Sequence, residues 1–491
     1  MSPDPLASYT VLMKLILRYR LPLKLVFILT SFSVFASNLP DLGQPSFASL
    51  SPLEERRLGQ SVLNELRNAL ELSDDEVVNS YLNEIGYRLV ATLNEEEAYP
   101  YYFFGVKDNA INAFALPGGF IGVNMGLVLA STSESELAAV LAHEVSHVSQ
   151  HHIARMYQRG GQVTMASVAG LIAAAIISTQ NVEAGTGALA ATLAGSAQSM
   201  INFTRENEKE ADAMGMEALA KAGFDPQGMP SFFQRMGQST RYYDNGSMPE
   251  FLRTHPLTES RLIAARERAA NYPYRQVPDS QSYHLIKARI QAMSLNSAGQ
   301  ARTYFKKQLD SKTYANESSA QYGYALALLA SGDEHKALQL LNSLTEQYPN
   351  QSLFQLALSD AEYATGKRLE AKQRLANALS NHPRNHALTL AYAQRLLQTG
   401  DAKQTVVLLN HHALLFPKPE TYRLLAQAYS ATKQPQFAHM AQAEYHLSLG
   451  DLKTALKQLE FASKLPNKDP REAAQINARI TEIKRWLNDT K

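Results

Sequence analysis

The stretch LAHEVSHVSQHH, residues 141–152, places four histidines and a glutamate within ten positions. His143 and His147 are four apart, so on a helix their imidazoles leave one face about a turn from each other, with Glu144 beside them. This is the His-Glu-x-x-His arrangement in which two histidines bind zinc and the glutamate serves as general base. The flanks ELAAVLA and VSQHHIARM form helix readily, as the motif requires. A catalytic zinc takes a third protein ligand and keeps one position open. An extended H-x-x-G-x-x-H continuation would need glycine and histidine where the chain has Gln150 and Ile153, which excludes that class. No Asp or Glu lies between Glu144 and Glu183, so the third ligand comes from Glu183 or from the acidic cluster RENEKEADAMGMEALAKAG at 205–223. In that cluster Glu208 and Asp212 share a helix face, and so do Glu206 and Glu210; spacing alone does not choose between the pairs. His151 continues the stripe one turn past His147, but with three ligands available neither it nor His152 is needed, and both are read as standing outside the site.

These residues need a frame to hold them. The 491 residues exceed one ordinary core, so two or more domains are expected. Residues 51–275 mix helical and apolar strand signals, and YYFFGVKDNAINAFALPGGFIGVNMGLVLA at 101–130 reads as strand, turn, strand and the start of a helix. The Pro-rich NYPYRQVPDSQ at 271–281 marks a boundary. Beyond it, Gly332, Gly366 and Gly400 recur every 34 residues, as do Pro349, Pro383 and Pro417. A small residue precedes each glycine by seven (Ala325, Ser359, Ala393) and a leucine follows by nine (Leu341, Leu375, Leu409). That pattern resembles tetratricopeptide repeats, stacked helical hairpins whose concave face binds partners. Helices near 281–294 and 298–309 should start the stack and AAQINARITEIKRWL should cap it. Gly450 follows Gly400 by 50 rather than 34, so a helix there is shared or the register breaks.

The first 36 residues carry Lys14, Arg18, Arg20 and Lys24 against Asp4, then the apolar run LVFILTSFSVFA at 25–36, too short to span a membrane comfortably. This reads as an export signal cleaved after Ala36, with Met13 as an alternative start. Net charge is +1 and the basic excess sits in that leader, which leaves no electrostatic footprint for nucleic acid. The absence of cysteine removes both a disulfide framework and a lipid-bearing thiol. The bacterial periplasm is the simplest compartment.

In order along the chain, NAFALPGGFIGVNMGLV, ELAAVLAHEVSHVSQHH, ENEKEADAMGMEAL and THPLTESRL resemble the HtpX and CAAX-prenyl-protease family of zinc metallopeptidases. The resemblance implies an α+β zincin-type domain, mostly helical with a small sheet, over 37–275, followed by an all-α tetratricopeptide-like solenoid over 276–491. The family's E-x-x-x-D element falls on Glu208 and Asp212, implying Glu208 as third ligand of one zinc per chain and Asp212 as the residue that orients a ligand histidine. Its His-Pro element falls on His255-Pro256, ahead of Arg261, and implies that His255 assists at the zinc, either by stabilising the oxyanion or by filling the open position in a resting form. The ALPGGFIGV strand would be the edge to which an extended substrate adds itself. The intervening 160–203 reads as a helical hairpin over the site, with a membrane-contacting lid as the second reading.

A signal, a peptidase and repeats in this order resemble the periplasmic, repeat-bearing branch of the family. That implies degradation of misassembled outer-membrane proteins, contact of the repeats with the outer-membrane assembly machinery, and chaperone-like help to assembly. The rival reading is a non-proteolytic repeat scaffold or chaperone whose zinc site is silent or structural; a structural site has no use for Glu144. Cleavage of prenylated substrates is disfavoured by the lack of a multi-span chamber.

Overall fold

Short, continuous apolar runs bounded by Asp, Asn and Gly are what strands buried on both faces look like. The computed structural model describes residues 50–93, 100–159, 165–180, 205–242, 249–466 and 469–489, all within the unit Ser49–Lys491; the expected export signal lies outside the described residues. The apolar runs form β1 (Tyr102–Val106), β2 (Ala113–Leu116) and β3 (Phe120–Asn124), in the order β1-β3-β2. β3 pairs parallel with β1 and antiparallel with β2. The tight turn between β2 and β3 is made by Gly118 and Gly119 at φ 69° and 86°, where a side chain would be strained. Only the Ala115–Leu116 half of ALPGGFIGV is therefore edge strand; its Phe120–Val123 half lies in the sheet centre, paired on both sides. The sequence signal merged two strands because both are equally apolar.

Alternation sorts the strand side chains into two cores. Phe103, Ala113, Ala115, Ile121 and Val123 enter one, and Phe104, Phe114, Leu116 and Phe120 the other. Helix α1 (Pro52–Ala69), begun by a reciprocal Ser51–Glu54 capping box, covers the second face. On the first face lies α2 (Glu76–Val90), capped by Asp75. A short α3 (Met125–Ala130) follows the sheet, then α4 (Glu134–Ser149), α5 (His152–Arg159) and α6 (Met165–Gln180). α6 packs on α1 through Val168, Ala169, Ile172, Ala173 and Ile176, and also touches the segment that precedes His255. It is the described part of the expected hairpin; residues 181–204 lie outside the description. Among the described residues no helix is long and apolar enough to cross a membrane. Then come α7 (Arg205–Lys221), α8 (Gly228–Tyr242), the short α9 (Glu250–Thr254) and α10 (Glu259–Ala270).

The remainder is helical hairpins. They pair α11 (Gln281–Ser294) with α12 (Ala298–Ser311), α13 (Glu317–Ala330) with α14 (Glu334–Gln347), and α15 (Ser352–Ala364) with α16 (Arg368–Asn381). Then α17 (His386–Gln398) pairs with α18 (Ala402–Leu415), α19 (Pro419–Ala431) with α20 (Pro435–Ser448), and α21 (Leu452–Lys464) with α22 (Pro470–Asp489). Gly332, Gly366 and Gly400 stand in the hairpin turns at φ 78°, 84° and 86°, with nothing near the place of a Cβ. Conformation rather than space selects glycine there. Lys433 takes the next turn within one residue of the 34-residue period, at φ 58°, but Gly450 makes the same kind of turn at φ 78° only half a repeat later, so the register breaks there and α20, packed on both α19 and α21, is shared between two hairpins. Gly450 belongs to the next connection, between α20 and α21.

The repeats close back on the first part of the chain. Tyr283 donates to the Ser131 carbonyl at 2.8 Å, and Arg289 Nε donates at 2.6 Å to Asp75, the cap of α2. His386 Nε2 lies 3.3 Å from Glu76, and Arg67 on α1 donates to the Leu449 carbonyl at 2.7 Å. Because a left-handed backbone costs an L-residue about 1 kcal/mol more than glycine, Lys433→Gly should raise unfolding stability by about that amount. Urea titration checks this; an unchanged or lowered midpoint would contradict the strain.

Candidate active site

Ser133 caps α4 by accepting from the Glu136 N–H, Glu134 and Glu136 sit at its positive end, and Ala, Leu and Val fill the middle. Every residue from Glu134 to Val148 is buried, since α2, α7, α8 and β2 surround the helix. Its closest neighbour is α7. A Cβ on Gly215 would stand 3.1 Å from the Ala142 carbonyl carbon and the His143 nitrogen, so glycine lets the two backbones meet there. Glu208, Asp212 and Gly215 share one face of α7, and this approach carries both carboxylates to the histidines.

One ring nitrogen from each of His143, His147 and His255 and one Glu208 oxygen all lie within 4.8 Å of one another. His143 Nε2 is 3.0 Å from His147 Nε2 and 3.2 Å from His255 Nδ1. Glu208 oxygens lie 3.5 Å from His143, 3.4 Å from His147 and 3.0 Å from His255. A tetrahedron with arms of about 2.0–2.1 Å has edges of about 3.3 Å, so these distances suit one small cation within. The chemistry agrees: three imidazole nitrogens converge where at most a few protons can separate them, and a central cation satisfies all the lone pairs. Burial holds His147 well below the usual histidine range and so neutral, as a ligand must be.

The surroundings fix the ligands. Asp212 Oδ1 is 3.0 Å from His143 Nδ1, and Arg261 grips the same carboxylate at 2.7 and 2.8 Å while its Nη1 reaches Glu208 at 2.6 Å. Burial opposes the Asp212 charge, but Arg261 and His143 outweigh it and keep the group ionised. Glu144 is fully buried, with the Ala115 backbone of the edge strand against its carboxylate and His255 Nε2 at 3.3 Å. Burial raises its pKa. Phe251 on α9 stacks on the His255 ring at 5.0 Å. His143, Glu144, His147, Glu208, Asp212 and His255 are each at most 2% exposed.

The sequence model of peptidase family M48 matches residues 76–269. The beta-barrel assembly-enhancing protease of Escherichia coli (strain K12) is 34% identical over 458 residues, covering 92% of this chain and 93% of that protein. That of Yersinia pestis is 34% identical over 453 residues, 92% of each. The mitochondrial metalloendopeptidase OMA1 of Arabidopsis thaliana is 26% identical over 239 residues, 46% of this chain and 44% of that one.

The chain belongs to peptidase family M48.

The M48 site thus gathers His143, Glu144, His147, Glu208, Asp212 and His255 in one place. Of the acidic pairs left open by spacing, Glu208 and Asp212 face the histidines; Glu206 is exposed, and Glu183 lies outside the described residues. One further group touches the site. His152 Nδ1 lies 2.6 Å from His147 Nδ1, and burial lowers the His152 pKa to about 4. His151 meets Glu55 of α1 at 2.8 Å. His151 thus stands outside the site as expected from the sequence, whereas His152 was not visible as a site neighbour, because a continuous helix points it away from His147. The helix instead breaks at His151, whose φ is 50°, and the break turns His152 inward.

In the metal-free M48 site burial resists a charge on His143, yet the Asp212 and Glu208 carboxylates hold it protonated up to about 9. A ligand must give up that proton. Metal uptake at pH 7 should therefore release about one proton, and affinity should climb as pH rises toward 9. Titration calorimetry in buffers of different ionisation enthalpy reads the proton directly, and a buffer-independent enthalpy would contradict the assignment. Asp212→Asn should weaken metal retention about 10- to 100-fold.

Proposed function

We propose that the chain is a zinc-dependent endopeptidase of the periplasm that degrades misassembled outer-membrane proteins and assists their assembly. The observation that carries the reading is the convergence of His143, His147, Glu208 and His255 on one point beside a buried Glu144. Two imidazoles and a carboxylate with one further position suit zinc. When bound, zinc would polarise the scissile carbonyl and acidify the attacking water.

The remaining work belongs to the chain's own side chains. Glu144, its proton affinity raised by burial, takes the proton of the attacking water and delivers it to the leaving nitrogen. An extended substrate lies along β2, whose Ala115 backbone faces Glu144, and adds itself as a further strand. His255 would hold the fourth position in a resting form and would have to move aside for substrate to enter. Its place favours such movement: it ends the short α9 directly before Pro256, where no helix can continue. Once displaced, its Nε2 remains available to stabilise developing negative charge. Asp212 and Arg261 keep His143 aimed.

The basic, then apolar, leader at 1–36 supports export, with a peptidase domain at 37–275 and the repeat domain at 276–491. The name of the Escherichia coli relative, a beta-barrel assembly-enhancing protease, supports beta-barrel proteins as clients, and the repeat array offers a surface for contact with the machinery that assembles them. Peripheral contact with a membrane through the apolar α6 region fits the same location. A scaffold with a silent zinc site is the alternative, and Glu144 separates the two.

Glu144→Gln should keep about one zinc per chain by metal analysis yet lose cleavage of an unfolded substrate by at least about 100-fold. Full activity in that variant would assign the proton transfer to another base, and absence of cleavage by the zinc-loaded wild-type chain would favour the scaffold. His147→Ala and Glu208→Ala should lose metal and activity together. His255→Ala should raise the cleavage rate if the residue is chiefly a plug, and a fall would assign it to charge stabilisation instead.

A further inference from the structure

His147 has a second ring nitrogen, and its surroundings are unlike those of His143. Where His143 Nδ1 faces a carboxylate directly, His147 Nδ1 faces another imidazole, His152 Nδ1, at 2.6 Å. His152 is fully buried, and its Nε2 lies 3.2 Å from Glu210 Oε2 at the protein surface. Arg155 Nη2 donates to the same oxygen at 2.8 Å.

Two nitrogens 2.6 Å apart need one proton between them, so one donates and the other accepts. The two ends of the chain decide which. At the inner end His147 Nε2 points into the ligand group and must keep its lone pair, which leaves its proton on Nδ1. At the outer end Glu210, paired with Arg155, only accepts, so His152 carries its proton on Nε2 and turns the Nδ1 lone pair inward. Every hydrogen bond then runs outward, from His147 to His152 to Glu210. We propose that His152 and Glu210 are positioning residues of the peptidase, a two-step relay that locks His147 in the tautomer able to hold the metal.

The helix break explains the need for an intermediary. Glu210 lies two residues from Glu208 on α7 and looks toward solvent, too far round the helix to reach His147. His151, in its left-handed conformation, drops His152 into the gap. The consequence is symmetry of function without symmetry of form: Asp212 steadies one ligand histidine directly, and Glu210 steadies the other through an imidazole.

The proposal rests on His147 being a metal ligand, so the test includes His147→Ala. Zinc affinity of the purified chain would be measured by competition with a chromophoric chelator, alongside the visible spectrum of the cobalt-loaded protein, kcat and KM, and thermal melting of the metal-free forms. His152→Phe fills the space without an acceptor and should lose about 10- to 100-fold in zinc affinity, with kcat falling more than KM. His152→Asn places an amide oxygen near the lost Nδ1 and should recover much of that loss. Glu210→Ala, at the surface and clear of the core, should weaken zinc in the same direction by a smaller factor. Wild-type zinc affinity in His152→Phe, or equal weakness in Phe and Asn with no effect of Glu210→Ala, would overturn the relay and leave His152 a packing residue. Should the Phe variant fail to fold, wild-type affinity in Glu210→Ala would overturn it alone. If His147→Ala retains zinc, the ligand reading itself fails, and that outcome is distinct from the others.

Discussion

Everything at the site depends on how closely two helices can approach. α4 carries two histidines and the buried glutamate, α7 carries two carboxylates, and Gly215 removes the one methyl group that would hold the backbones apart. The approach brings three carboxylates, Glu144, Glu208 and Asp212, into a region at most 2% exposed. Burying charge costs several kcal/mol per ion unless partners compensate. Arg261 supplies the permanent positive charge, hydrogen-bonded to Asp212 and ion-paired with Glu208, and a metal ion would supply the rest. The apolar frame from α2, α4, α7 and α8 must therefore be rigid enough to hold a site that opposes its own burial, which accounts for the completeness with which α4 is enclosed.

Legibility in the sequence followed from how local each constraint is. The His-Glu-x-x-His pair was readable because helix geometry alone fixes four-residue neighbours. The repeat was readable because a left-handed turn selects glycine at Gly332, Gly366 and Gly400, and it blurred where Lys433 accepts that conformation. The third ligand was not fixed by spacing, since two i,i+4 acidic pairs overlap on one helix and only the rotation of α7 about Gly215 distinguishes them. Resemblance of the motifs, rather than geometry, pointed to Glu208. His152 stayed hidden because nothing around it signals a helix break: no glycine, asparagine or proline stands at 150–151. The edge strand was half right for a related reason, as a strand paired on both sides and one paired on a single side are equally apolar when helices cover both faces.

The repeats are not an appendage to this frame. α11 grips the cap of α2 through Arg289 and Asp75, and α17 returns to the same helix through His386 and Glu76. A solenoid ordinarily interacts only with its neighbours in the stack, so its stability is a sum of local terms. Here contacts to α2 from two separated hairpins tie those terms to the peptidase core, and motion of the array cannot be wholly independent of the helices that line the site.

The bond from Arg67 to the Leu449 carbonyl joins residues 382 apart in the chain, and α1, which bears Arg67, also bears Glu55 beside His151 and Arg56 on the Gly118 carbonyl. The set of contacts that α1 makes is therefore complete only when the chain near residue 450 lies beside it. One helix is the common neighbour of the turn between β2 and β3, of the break at His151 and of the last hairpins, so a displacement of α1 would be felt in all three places at once.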